Sequence, residues 1–138
     1  MEDAADRQVL AGQLATVEES LGFLVLLLGS LLLSFSALQL QRRQLACAAA
    51  GEAEAAAAVP DPYPLRCGAS ALVVGALGYF FAQALEGWQS AQTGSPDERA
   101  SALRNLWAAL LVLAAALIRL CDLNLSRSPS GEDDALPV

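Results

Sequence analysis

The chain has 138 residues, 55% of them hydrophobic and only 17% charged, with a formal net charge of −7. This is one domain's length, its charge falls well below the roughly 25% of an ordinary soluble domain, and its apolar residues come in unbroken blocks. That pattern excludes an overall disordered chain, a disulfide-framework miniprotein and a nucleic-acid binder with a basic face. All eight basic residues are Arg and none is His, so the commonest general base and metal ligand is missing. The excess acid argues against recognition of anionic headgroups or phosphate backbones through a surface patch.

Residues 1–20 read as an acidic amphipathic helix. Leu10, Leu14, Val17 and Leu21 recur at helical spacing, which places them on one face. A membrane-surface anchor is normally basic. This stretch holds Glu2, Asp3, Asp6, Glu18 and Glu19 against Arg7 alone, so a protein partner is expected on Leu10, Leu14 and Val17 rather than lipid, with a solvated extension of the first helix as the alternative. Gly12 and Gly22 are candidate hinges. The acidic opening does not read as a secretory signal, which starts basic.

Residues 21–40 carry no charge and stop at Arg42 and Arg43. As a helix they cover ~30 Å, the thickness of a hydrocarbon core, and form the first expected transmembrane helix. Residues 41–67 read as an Ala/Pro-rich loop, in which the Ala-rich stretch allows the first helix to continue past the membrane. Val59-Pro60-Asp61-Pro62-Tyr63-Pro64 then forms a stiff connector, because alternate prolines remove amide donors and extend their neighbours.

Residues 68–88 form the second expected transmembrane helix, rich in Gly, which is common in membrane helices. Residues 89–103 hold a loop and the start of the third helix. Its start is marked by Ser95 as N-cap, Pro96 at the first helical position and Glu98 three residues after the cap. Residues 104–121 are the third expected transmembrane helix, with Arg104 and Arg119 snorkelling towards headgroups. Residues 122–138 read as a disordered acidic tail. The fold class is an all-α membrane protein: three transmembrane helices in a small left-handed bundle, an N-terminal amphipathic helix and a disordered C-terminal tail.

Three spans put Arg7, Arg99 and Arg104 on one side and Arg42, Arg43, Arg66, Arg119 and Arg127 on the other. The positive-inside rule then places the first loop and C-terminus in the cytoplasm and the N-terminus outside the cell membrane. Cys47, Cys67 and Cys121 fall on the reducing side, where stable disulfides are not expected. They lack CxxC spacing and any His, so no metal site is expected.

In the second apolar run, Gly68, Ala71, Gly75, Gly78 and Ala82 recur at spacings of three, four, three and four. Gly22, Gly29 and Ser36 repeat every seven residues in the first. Lipid already offers apolar contact everywhere, so helices associate through small residues that let backbones approach. A seven-residue period holds such a seam in register with left-handed coiling. These eight residues are the expected helix-packing positions, and the second helix is the expected centre of the bundle.

No catalytic residue or cofactor is expected. None of the three apolar runs, residues 21–40, 68–85 and 106–118, contains Asp, Glu, Lys or His, and an intramembrane ionisable group is the usual mark of transport chemistry. No GxSxG, Walker A, GxGxxG or HExxH is present. Tyr79 and Gln83 share a helical face, for which interhelical hydrogen bonding is the expected role.

These features point to a small non-enzymatic membrane scaffold, assembly factor or regulatory subunit that acts through helix packing. Its expected partners are the bilayer and a membrane protein or a second copy, with no nucleic acid. The alternative is an oligomeric pore or small transport component. The three-span, N-outside plan and small size resemble those of one class of phage holins, in topology alone. Such holins end in a basic cytoplasmic tail, whereas Glu132, Asp133 and Asp134 make this one acidic.

Overall fold

A computed structural model describes residues 2–127, which are all-helical: α1 (Glu2–Ala49), α2 (Ala53–Ala58), α3 (Tyr63–Ala91) and α4 (Pro96–Leu125). Three helices are long and apolar enough to cross a membrane. The expected tail, residues 122–138, is helical as far as Leu125, and its residues 128–138 lie outside the described residues.

The 48-residue α1 fuses the expected amphipathic helix, the first apolar run and the start of the expected loop. It runs ~72 Å by the rise per residue. Neither Gly12 nor Gly22 interrupts it. The change from acidic to apolar to basic composition has no effect on its backbone ladder, because Glu, Gln, Arg, Ala and Leu are all good helix formers. The helix stops at Gly51, whose φ of 79° lies in the left-handed region. Glu52 N donates to Cys47 O at 3.0 Å and Gly51 N to Ala48 O at 3.1 Å. This is the Schellman pairing that satisfies the last carbonyls of a helix.

The Ala-rich α2 folds back on α1, where Gln44 Nε2 donates to Val59 O at 3.4 Å. Asp61 Oδ1 then accepts from Tyr63 N at 3.0 Å, and α3 starts with Pro64 in its first turn. It thus begins five residues ahead of the expected 68. The prolines at 60, 62 and 64 turn the chain, and the last of them stands where a helix does not need its amide.

The start of α4 matches the sequence pattern. Glu98 N donates to Ser95 Oγ at 3.3 Å and Ser95 N donates to Glu98 Oε2 at 3.0 Å. This is a full capping box, with Pro96 at the first helical position.

The three long helices lie in the order α1–α3–α4. α3 packs on both neighbours, while among the described residues no α1–α4 pair approaches within 8 Å between Cα atoms. The arrangement is an open layer with α3 at its centre. Its apolar core is minimal: the buried apolar side chains among the described residues are Ala37, Ala69, Ala76 and Ala84. The large ones of α3 are half-buried, and many on α1 and α4 face outwards, with Leu32 and Ile118 each 69% exposed.

Replacing Ser95 with Ala removes one half of the capping box. We expect a loss of about 1 kcal/mol, read as faster amide exchange confined to the first turn of α4. Glu98→Ala should give a smaller change of the same sign.

Candidate functional site in the helix seams

The α1–α3 seam is built from residues one position aside from the glycine stripe expected on α1. Ser30 and Ala37, seven apart, are buried. Gly22 and Ser36 are exposed and Gly29 is half-buried. A Cβ at Gly22 or Gly29 would meet nothing within 4 Å. Ser36 turns its hydroxyl back to Leu32 O at 2.9 Å, while buried Ser30 donates to Leu27 O at 2.7 Å. Both hydroxyls are therefore satisfied within α1 and impose no partner across the seam.

On α3 the buried residues are Ala69, Ala76 and Ala84. Of the expected packing positions, Ala71, Gly75 and Ala82 are exposed, while Gly68 and Gly78 are half-buried. Gly68 approaches α1, since a Cβ there would lie 3.9 Å from Leu33 Cδ1. Gly75 and Gly78 have open space within 4 Å. At 100° per residue, positions 71, 75 and 82 lie opposite Arg66, Ser70, Val73 and Leu77. The glycine-containing stripe is thus an outer face of the central helix, and within one chain the close approach is made by alanines.

The outer part of the α1–α3 seam is a polar and aromatic clasp. Tyr79 Oη donates to Glu19 Oε2 at 3.2 Å. Gln83 Nε2 donates to Tyr79 Oη at 2.7 Å and to Ser20 Oγ at 3.2 Å. Phe23 stacks on Tyr79, with ring centroids 3.9 Å apart and planes 13° from parallel. Phe80 meets both rings edge-on. Tyr79 and Gln83 therefore perform the interhelical hydrogen bonding that their shared face implies. Phe23 is the residue missed in the sequence, where it stands among leucines with no spacing to single it out.

At the opposite end, α3 and α4 are joined by Tyr63 Oη donating to Asn124 Oδ1 at 3.1 Å. The Cys67 thiol donates weakly to the same oxygen at 3.7 Å. Arg127 lies over the Tyr63 ring, its Cζ 4.1 Å from the centroid, within cation–π range. Cys47, Cys67 and Cys121 are free thiols.

A groove of about 630 Å³ runs along one face of the layer, with α3 as floor and α1 and α4 as walls. Ser30, Ser34 and Ser70 line it with Leu31, Val73 and Leu77. Arg66, Arg119 and Asp122 line its end nearest the start of α3. The expected partner face stands apart from all of this: Leu10, Leu14 and Val17 are 62%, 59% and 54% exposed on α1.

Residues 20–126 match the family described as Domain of unknown function (DUF5671), and the chain belongs to that family. No curated protein matches the chain, and no solved structure does. The matched stretch starts at the clasp residue Ser20 and takes in α3 and α4 whole. It leaves out Leu10, Leu14 and Val17.

The clasp can be divided by substitution. Tyr79→Phe keeps the stacked ring and loses two hydrogen bonds, at about 0.6 kcal/mol each in a membrane-like medium. Phe23→Ala loses the stack, worth about 0.5–1.5 kcal/mol beyond area burial, and with it the apolar contacts of a half-buried ring. Denaturant titration in detergent should therefore rank Phe23→Ala as the more destabilising.

Proposed function

We propose that this chain is a small, non-enzymatic, multi-pass integral membrane protein that serves as a scaffold, assembly or regulatory subunit through helix packing. One observation carries the membrane part. The buried apolar side chains of the described residues are all alanine, while Leu24, Val25, Leu28 and Leu32 of α1 and Leu111, Leu117 and Ile118 of α4 are exposed on helices long and apolar enough to cross a membrane. Fully burying a large aliphatic side chain gives roughly 1.5–3 kcal/mol in water, which the exposed ones forgo. In lipid the same outward leucines are solvated.

The packing part rests on what the layer leaves uncovered. The outer stripe Ala71, Gly75, Gly78 and Ala82 offers a second copy or a partner helix a surface without bulky side chains, suited to a left-handed helical bundle between chains. Leu10, Leu14 and Val17 offer a separate apolar face on an acidic stretch, suited to a protein partner. The Arg distribution supports a cell-membrane orientation with the N-terminus outside and the C-terminus in the cytoplasm.

Carbonate extraction should leave the chain in the membrane pellet; release into the supernatant would refute the membrane reading. In intact cells an impermeant maleimide should fail to label Cys121, which is exposed, and should label it after permeabilisation. Labelling in intact cells would invert the topology. Gly75→Leu and Gly78→Leu add a side chain into open space, so thermal stability of the monomer should hold while association in mild detergent falls. Changing Leu10, Leu14 and Val17 to Asp should abolish co-purification of a protein partner without altering insertion. Depolarisation of cells on expression would favour the pore reading instead.

A further inference from the structure

We infer that the groove between α1 and α4 is a binding site for one anionic phospholipid of the leaflet nearest the start of α3. The inference rests on the membrane reading above. Charge is the first argument. In a chain of net charge −7, the groove is lined by two guanidiniums, Arg66 and Arg119, and one carboxylate, Asp122, with uncharged residues elsewhere. Its lining therefore sums to +1. A lipid of net charge −1 neutralises that sum; a zwitterionic lipid leaves it standing.

Length is the second argument. From Arg66 to Leu77 along α3 is ~16 Å at the helical rise, and from Val112 to Leu123 along α4 is the same. A hydrocarbon core is ~30 Å thick, so the groove reaches from the headgroup level of one leaflet to about the midplane. Its charged residues lie at the headgroup end, beside the Tyr63–Asn124 contact. Leu31, Val73 and Leu77 line the path of an acyl chain. The volume of about 630 Å³ is that of an ordinary small-ligand cleft and takes the headgroup and part of one acyl chain, the rest of the lipid lying in the bilayer.

Chemistry is the third argument. A guanidinium presents planar paired donors that match phosphate oxygens, and it keeps its charge at any accessible pH. Two of them from different helices can hold one phosphodiester from both sides. The carboxylate of Asp122 accepts hydrogen bonds and suits a headgroup that carries hydroxyls, as phosphatidylglycerol does.

The test uses the full chain in nanodiscs of phosphatidylcholine containing phosphatidylglycerol or phosphatidylethanolamine, with retained lipid counted by native mass spectrometry. Wild type should retain about one phosphatidylglycerol, in preference to either zwitterionic lipid. Arg66→Gln and Arg119→Gln should each lower that preference about fivefold, the usual weight of one cation near a lipid surface. Asp122→Asn should raise it by a similar factor. Opposite signs from neutralising a cation and an anion are not expected of a merely structural defect. Ala116→Phe should displace lipid of every class by filling the groove, and Arg7→Gln, far from it, should change nothing.

Equal retention of all three lipids by wild type would overturn the site, as would an equal effect of Arg7→Gln and Arg66→Gln. Lipid lost on self-association in proportion to dimer would show that a second copy fills the groove instead. A chain that stays in the carbonate pellet but shows no preference loses only this site; a chain released by carbonate loses the membrane reading with it.

Discussion

The structure depends on how closely α3 can approach its two neighbours, because α1 and α4 do not pack on each other. The side chains buried there have almost no volume and come from α1 and α3, with none from α4 among the described residues. Ala69, Ala76 and Ala84 are buried on α3, and Ser30 and Ala37 on α1. Such residues bury little area, so they supply little hydrophobic free energy. What they permit is backbone proximity, and with it many weak dispersion contacts. An added methyl at Ala76, which is fully buried, would therefore push two helices apart rather than fill a hole.

A layer held in this way needs directional contacts to fix its register, and these sit at its two ends. The clasp of Glu19, Ser20 and Phe23 with Tyr79 and Gln83 fastens α1 to α3 at one end. Tyr63, Cys67 and Asn124 fasten α3 to α4 at the other. Small-residue seams specify distance better than register, since sliding one alanine past another costs little, whereas an aromatic stack and a forked amide hydrogen bond specify both. Between the two fastenings, the absence of α1–α4 packing leaves the groove open, and the groove is thus a direct consequence of the central position of α3.

Much of this was legible in the sequence, and the parts that were not fail for an identifiable reason. The three apolar runs, the capping box at Ser95 and Glu98, and the pairing role of Tyr79 and Gln83 could be read because each is a local pattern with one physical solution. The boundary of α1 was less legible. Polarity signals where a helix meets water, but only Gly51 and its left-handed backbone signal where the helix ends. The packing stripe was the least legible. In α3 the sets 68-71-75-78-82 and 69-76 both consist of small residues at helical spacing, and sequence alone contains nothing to rank them. The buried positions are the alanines, Gly68 alone of the stripe comes up to α1, and Ala71, Gly75 and Ala82 are exposed. The same holds on α1, where Gly29 and Ser36 each lie next to the residue that is actually buried.

The charge balance bears on the proposed groove site through its distribution along the helices. A net charge of −7 argues against an anion site only if charge is spread evenly, and screening confines each charge to about 10 Å in ordinary salt. The helices of this chain are far longer than that. Arg66 and Arg119 line the groove from α3 and α4 with Asp122 as the one acid in its lining, while Glu18, Glu19 and Glu86 belong to the other end of the layer. The side chain chosen matters as much as the sum. Every basic residue of this chain is Arg, and an arginine at the edge of a lipid phase keeps its charge where a lysine can surrender it to desolvation. A cationic groove built on arginine remains cationic when its surroundings become apolar, which is the condition that a headgroup site between helices must meet.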